Sequence, residues 1–313
     1  MQEPLLLTIL GPTACGKTAL AVAVADRIDA EIISADSRQV FRGMDIGTGK
    51  DLDEYRLPHR SIPYHLIDIR DAGEEYNLYQ FQNDFIDAFN TILGNHHRVI
   101  LCGGTGMYLE SIIRSYKLPD APIDKDYRDS ISSTSDQDLE ERLANLIKLH
   151  NHTDTENRER LVRALEIQEF KLQHPDEHTQ IPPMRHLVVG IKMPRDVVVE
   201  RIGRRLRQRL EEGMVDEVKR LLDQGVPVQR LLKYGLEYKH LTRYLVGDCS
   251  YEEMYENLFT DIRRFSKRQM TWFRRMERNG IAIHWIDGMR EMNLKVQETV
   301  DLYLNTENVK SDC

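Results

Sequence analysis

The chain has 313 residues, 41% of them apolar and 30% charged, with a formal net charge of −8. That length and balance describe a globular protein with a full core. They exclude a fibre and a disordered chain, and no apolar run approaches the ~20 residues of a membrane span.

Leu5–Leu10 is a six-residue apolar run that predicts a first strand; it is too short for a signal-peptide core and lacks a basic leader, so a cytoplasmic protein is expected. It runs into Gly11, Pro12, Thr13, Ala14, Cys15, Gly16, Lys17 and Thr18, after which a helical pattern begins. This G-x4-G-K-T spacing is a phosphate cradle. The glycines let backbone N–H groups turn toward an anion and the next helix presents its positive end. Lys17 adds a charge, and the Thr18 hydroxyl can hold Mg²⁺. Glu31–Ser34 reads as a second strand with Asp36 just beyond its carboxyl end, where ligands of parallel sheets gather. Asp36 and Lys17 are therefore expected to face one crevice. Tyr64–Ile67 and Val99–Cys102 give two further strands, and the latter meets Gly103, Gly104 and Thr105 with no acid. An ordinary ATPase or GTPase carries a metal-holding aspartate on such a strand. The pattern is that of a phosphate site with a base beside it.

Between Asp120 and Pro183 the strand and helix alternation stops, and Leu139, Leu143, Leu146 and Leu149 recur at helix spacing. Prolines at 119, 122, 182 and 183 mark the edges of this stretch. It predicts a helical insertion domain over 120–183, within a catalytic core of 1–119 and 184–305 and before a frayed tail at 306–313. Alternation resumes with strands at Leu187–Lys192 and Ile281–Trp285, so the fold class is α/β, a parallel sheet flanked by helices.

Charge in the second half is clustered. One helix buries Val198, Ile202, Leu206 and Leu210 and carries Arg201, Arg204, Arg205, Arg207 and Arg209 on other faces, a pattern open to a solvated face or an anion site. A later helix opens on a capping box, Ser250 to Glu253, with a stripe of Leu258, Ile262, Phe265, Gln269, Trp272 and Met276. Arg263, Arg264, Lys267, Arg268, Arg274 and Arg275 flank it, and that surplus predicts an anionic partner. Gln269 must pair inside or read a ligand, because an unpartnered buried amide costs about 1–3 kcal/mol. Trp272 reads as core. The four cysteines are scattered, and His96, His97, His150 and His152 sit in polar stretches, so neither a disulfide framework nor a zinc site is indicated.

Three spans together resemble the tRNA dimethylallyltransferases, also called tRNA isopentenyltransferases. They are Gly11 to Thr18, Ser34 to Gly47 (S-A-D-S-R-Q-V-F-R-G-M-D-I-G) and Lys267 to Arg274 (K-R-Q-M-T-W-F-R), supported by Gly103-Gly104-Thr105 and Arg160 to Glu166. The resemblance implies a P-loop NTPase-like sheet with an inserted helical domain. It implies transfer of a dimethylallyl group from dimethylallyl diphosphate to N6 of the adenosine beside the anticodon, position 37, in tRNAs reading codons that begin with U. Asp36 would take the proton of the amine, and Thr13 would contact the bridging oxygen of the diphosphate. The cradle, Gly11 to Thr18, with Arg163 would bind the diphosphate, and Thr18 the Mg²⁺. The implied tRNA contacts are Asp36, Ser37, Arg38, Gln39, Thr105, Arg128, Glu159, Arg160, Leu161, Val162, Arg163, Lys267, Arg268, Gln269, Met270, Thr271, Trp272, Phe273 and Arg274. A paired, stacked base cannot offer its amine, so the adenosine must be flipped out of the anticodon stem-loop.

The chain departs from the family pattern at Glu237, where a glycine is usual, and at Gly47 to Asp51, G-T-G-K-D for the more frequent G-T-A-K-P. No zinc-finger extension follows Trp285, which fits a bacterial-type monomer. Two other readings remain open on the sequence: a P-loop small-molecule kinase and a nucleotide-gated RNA-binding module.

Overall fold

In the computed structural model, which describes residues 3–147 and 157–308, six strands pair in parallel: β1 (Leu5–Leu10), β2 (Ala30–Ser34), β3 (Tyr64–His65), β4 (Arg98–Gly103), β5 (Arg185–Lys192) and β6 (His284–Asp287). Their order is β3-β2-β4-β1-β5-β6. Every residue of β1 and β2 is buried, as expected of parallel strands covered on both faces. The register aligns Leu10 with Gly103 and Ser34 with Cys102, so the loops after β2, β4 and β1 emerge side by side. A Cβ on Gly103 would lie 2.3 Å from the Ala35 carbonyl oxygen, so glycine is what lets the ends of β4 and β2 approach this closely.

Helix α1 (Lys17–Ile28) connects β1 to β2, α2 (Leu78–Gly94) connects β3 to β4, and α3 (Gly106–Ile113) follows β4. Next come α4 (Lys125–Ser130), α5 (Asp136–Leu146) and α6 (Arg158–Gln173), then α7 (Arg195–Glu211), α8 (Met214–Asp223), α9 (Val228–Leu231), α10 (Leu236–Leu245), α11 (Tyr251–Arg278) and α12 (Met292–Asn308). The chain divides into a unit running to Arg114 and resuming at Pro182, and a second unit, Ser115–Ile181. The second unit has its own core of Ile131, Leu139, Leu143, Leu161 and Leu165. Leu146 is 36% exposed, and Leu149, His150 and His152 lie outside the described residues.

In the larger unit, the loop between β2 and a short 3₁₀ turn at Leu52–Tyr55 is held by buried charges. The Glu217 carboxylate of α8 accepts from the N–H groups of Asp45, Ile46 and Gly47 at 2.8, 2.7 and 3.0 Å, and from the Tyr238 hydroxyl at 2.6 Å. Lys50 is 1% exposed; it donates to the Phe41 carbonyl at 2.7 Å and pairs with Asp45 and Asp68. Both buried charges are thus neutralised or multiply hydrogen-bonded.

Four expectations are corrected. The third strand stops at His65 because Leu66 and Asp68 take left-handed backbone, φ 61° and 57°. The sixth begins at His284, since Ile281 is still bonded to Met276 through the turn at Gly280. The buried face of α11 is Met254, Leu258, Ile262, Ser266, Gln269, Phe273 and Met276, so Phe265 turns outward and Trp272 is only half-buried. Finally, α12 continues regularly to Asn308 where fraying was expected from 306, and Glu307 in that turn grips Arg98 at 2.9 Å.

Candidate active site

Three neighbouring strands deliver the site: Asp36 follows β2, Gly103 to Thr105 follow β4, and the cradle follows β1. Ala14 and Gly16 adopt φ of 62° and 83°, which folds the loop back on itself so that α1 starts at Gly16 without any side-chain cap. The uncapped N–H groups of the first turn and the helix dipole then serve an anion. Lys17 and Thr18 line a cavity of about 610 Å³. Its other wall is α7, from which Arg201, Arg204, Arg205 and Arg209 project. The i, i+4 spacing of Arg201, Arg205 and Arg209 places three guanidinium groups on one face.

Asp51 pairs with Arg205 and, at 3.5 Å, with Arg209, tying the arginines to the loop that the buried Lys50 holds. Burial and the neighbouring Arg205 charge pull the Arg209 pKa down, while burial and the Asp51 charge raise that of Glu54 on the same wall. The sequence left these arginines undecided between solvent and ligand; their three-fold i, i+4 repeat was the available signal.

Asp36 is half-buried. Its Oδ1 accepts from the N–H groups of Arg38 at 2.9 Å and Gln39 at 3.4 Å, and its Oδ2 has no hydrogen bond among the described residues. One oxygen thus anchors the turn while the other is left without a partner among the described residues. Thr105 Oγ1 accepts from the Ser37 N–H at 3.3 Å, joining the ends of β2 and β4. The Gln39 amide is engaged within the protein: its Oε1 accepts from Ser34 Oγ at 2.9 Å and its Nε2 donates to the Gly49 carbonyl at 3.0 Å. The Ser37 and Arg38 side chains make no such bonds among the described residues and stand half-buried beside Asp36.

On α11, Lys267, Arg268, Thr271 and Arg274 are exposed, and the three cations carry no ion pair among the described residues. Gln269 and Phe273 are 7% and 0% exposed, on the face of the helix that packs inward. Met270 is half-buried, and Trp272 packs against Gly106 with the Arg275 guanidinium 3.8 Å from its ring centroid. Arg275 also pairs with the buried Glu110 at 2.7 Å.

In the smaller unit Arg128 and Arg163 converge on one buried acid. Glu166 is 2% exposed in its side chain and is met by Arg128 at 2.6 Å and Arg163 at 3.1 Å. Burial alone would raise this carboxyl, but the two guanidinium groups overcome it and hold the pKa below the ordinary value. Arg163 also donates to the carbonyls of Ala121 and Pro122 at 2.6 and 3.2 Å. Leu161 is core and Val162 packs on it, while Glu159 and Arg160 are exposed.

Glu237 lines a small pocket with Thr13, Arg205 and Arg209. Burial raises its pKa above the ordinary 4.5 even against the attraction of Arg209. A raised folded-state value means that stability falls as pH climbs from about 4.5 through that value, since the unfolded chain ionises more readily. Glu237→Gln should therefore raise the urea midpoint at pH 8 and leave it nearly unchanged at pH 4. Equal midpoints at pH 8 would refute this.

A family model described as IPP transferase matches residues 39–276, and one described as isopentenyl transferase matches residues 4–62. The chain belongs to the IPP transferase family. It is 50% identical over 298 residues to tRNA dimethylallyltransferase 2 of Porphyromonas gingivalis, covering 95% of this chain and 99% of that one. The crystal structure of a full-length tRNA isopentenylpyrophosphate transferase from Bacillus halodurans matches with TM-score 0.69 at 34% identity, over 97% of this chain and 96% of that one. A eukaryotic dimethylallyltransferase acting on tRNA shares the fold, with TM-score 0.74 at 19% identity over 99% of this chain and 82% of that one. These relatives favour prenyl transfer over the kinase alternative. Among the described residues no helix of this family member is long and apolar enough to cross a membrane.

Proposed function

We propose that this enzyme transfers the dimethylallyl group of dimethylallyl diphosphate to N6 of adenosine 37, next to the anticodon, in tRNAs reading codons that begin with U, and that it works as a cytoplasmic monomer. The observation that carries the reading is the placing of Asp36 and the cradle at the carboxyl ends of β2 and β1, the two strands that flank β4, with an arginine wall behind the cradle. The arginines and Lys17 stabilise charge on the departing diphosphate as the C–O bond breaks. Thr13, at the lip of the cradle, donates to the bridging oxygen, and the free Oδ2 of Asp36 takes the proton that the amine loses.

The residues also fit Mg²⁺: the Thr18 hydroxyl stands at the first turn of α1, in a cavity whose other oxygens include Asp51, Asp53 and Glu54. Bound there, the ion would offset diphosphate charge, with Thr18 as its protein ligand. Lys267, Arg268 and Arg274 receive phosphates of the anticodon stem-loop, while Ser37, Arg38 and Thr105 lie where the flipped base enters.

The test is nucleoside mass spectrometry of unmodified tRNA after incubation with the protein, dimethylallyl diphosphate and Mg²⁺. N6-(dimethylallyl)adenosine supports the reading; ATP turnover with a small metabolite and no modified nucleoside would sink it. Arg268→Ala should weaken RNA binding and reduce the slope of log K against log salt by about one. A filter-binding series across salt concentrations checks this, and an unchanged slope would move the RNA off α11.

A further inference from the structure

Gln269 occupies the face of α11 opposite the exposed cations, and both ends of its amide are engaged. Oε1 accepts from the Thr13 N–H at 2.8 Å, and Nε2 donates to the Gly104 carbonyl at 2.9 Å. Thr13 is the lip of the cradle. Gly104 precedes Thr105, whose hydroxyl oxygen holds the Ser37 N–H beside Asp36. A single buried amide thus ties together the donor side, the acceptor side and the cationic helix. Removing either bond strands a buried polar group, so the three pieces have little freedom to move independently.

We propose that Gln269 is a positioning residue that couples RNA bound along α11 to diphosphate bound in the cradle, each raising the affinity of the other. The inference rests on the two sites proposed above. Phosphates drawn onto Lys267, Arg268 and Arg274 hold α11 in place. Through Gln269 the helix then holds Thr13, and the diphosphate no longer bears the cost of ordering the lip. Such coupling is reciprocal by necessity.

The test is titration of inorganic pyrophosphate into the full chain, with and without a saturating anticodon stem-loop RNA at fixed salt. The native chain should bind pyrophosphate about 5-fold tighter or more when RNA is present. Gln269→Leu, similar in size but without polar atoms, should bring that ratio close to one while RNA affinity alone is retained. At saturating RNA its donor KM should rise more than kcat falls. Gly104→Ala is a second route to the same result, because the added methyl would sit 2.5 Å from Gln269 Nε2. Thermal unfolding identifies which variants are folded, and the folded one decides.

A native ratio of one with both ligands bound overturns the coupling, as does an undiminished ratio in a folded variant. Failure of the native chain to bind pyrophosphate or RNA at all would instead overturn the site assignments beneath it.

Discussion

Asp36→Asn lowers the rate of prenyl transfer by about 10²- to 10⁴-fold and leaves RNA binding within a few-fold of the native value. The reasoning lies in the two carboxylate oxygens. Oδ1 accepts from the N–H groups of Arg38 and Gln39, and an asparagine carbonyl can accept in the same way, so the turn and its hold on Arg38 and Gln39 survive. Proton-accepting power is what disappears. The adenine amine has its lone pair delocalised into the ring, so a nearby base matters more than it would for an aliphatic amine. Single-turnover rates with a stem-loop substrate, set beside binding constants for the same RNA, separate the two effects. If affinity falls as far as rate, Asp36 is a gripping residue and the base lies elsewhere.

Lys17→Met lowers kcat by about 10²- to 10³-fold, the size seen when a donor facing developing charge is removed. Lys17 stands at the start of α1, where the uncapped first turn already favours an anion, and it makes no hydrogen bond inside the protein among the described residues. Its ammonium group is therefore available to the leaving diphosphate. Pyrophosphate binding should weaken by about tenfold or less, roughly 1.4 kcal/mol, because Arg201, Arg204, Arg205 and Arg209 still face the cavity. The contrast is the useful part: charge on the diphosphate grows during the reaction, so the loss falls on the rate more than on ground-state binding. Competition by pyrophosphate and a donor saturation curve for the same variant measure both quantities. A loss confined to KM would make Lys17 a binding group alone.

The cradle and Asp36 were legible in the sequence because each depends on local chemistry: a glycine at left-handed φ before a lysine, and an acid just past an apolar strand. Five strands stood out as apolar runs close to where they form, whereas the sixth was placed three residues early by reading the apolar Ile281 and Ile283 as part of it. What the sequence left undetermined was direction. The arginines of α7 reach the cavity because β5 lies beside β1, and nothing in the helix itself states that neighbour. The internal partners of the Gln39 and Gln269 amides, Gly49 and Gly104, are likewise set by the fold and not by the local sequence. On α11 the mistake was one position of helical phase, which exchanged Trp272 for Phe273. The pairing of Arg128 and Arg163 with the buried Glu166 was equally hidden for Arg128, which lies 38 residues away in the chain.

The grip of Glu217 on the amides of Asp45 to Gly47 spans some 170 residues of chain. Loop closure over that distance is slow, and the loop from Asp45 to Gly47 gains its carboxylate anchor only once a helix from the far half has docked. A nascent chain still emerging from the ribosome therefore carries the phosphate-gripping motif before the loop from Asp45 to Gly47 has the carboxylate that anchors it. That anchor arrives only with the last third of synthesis.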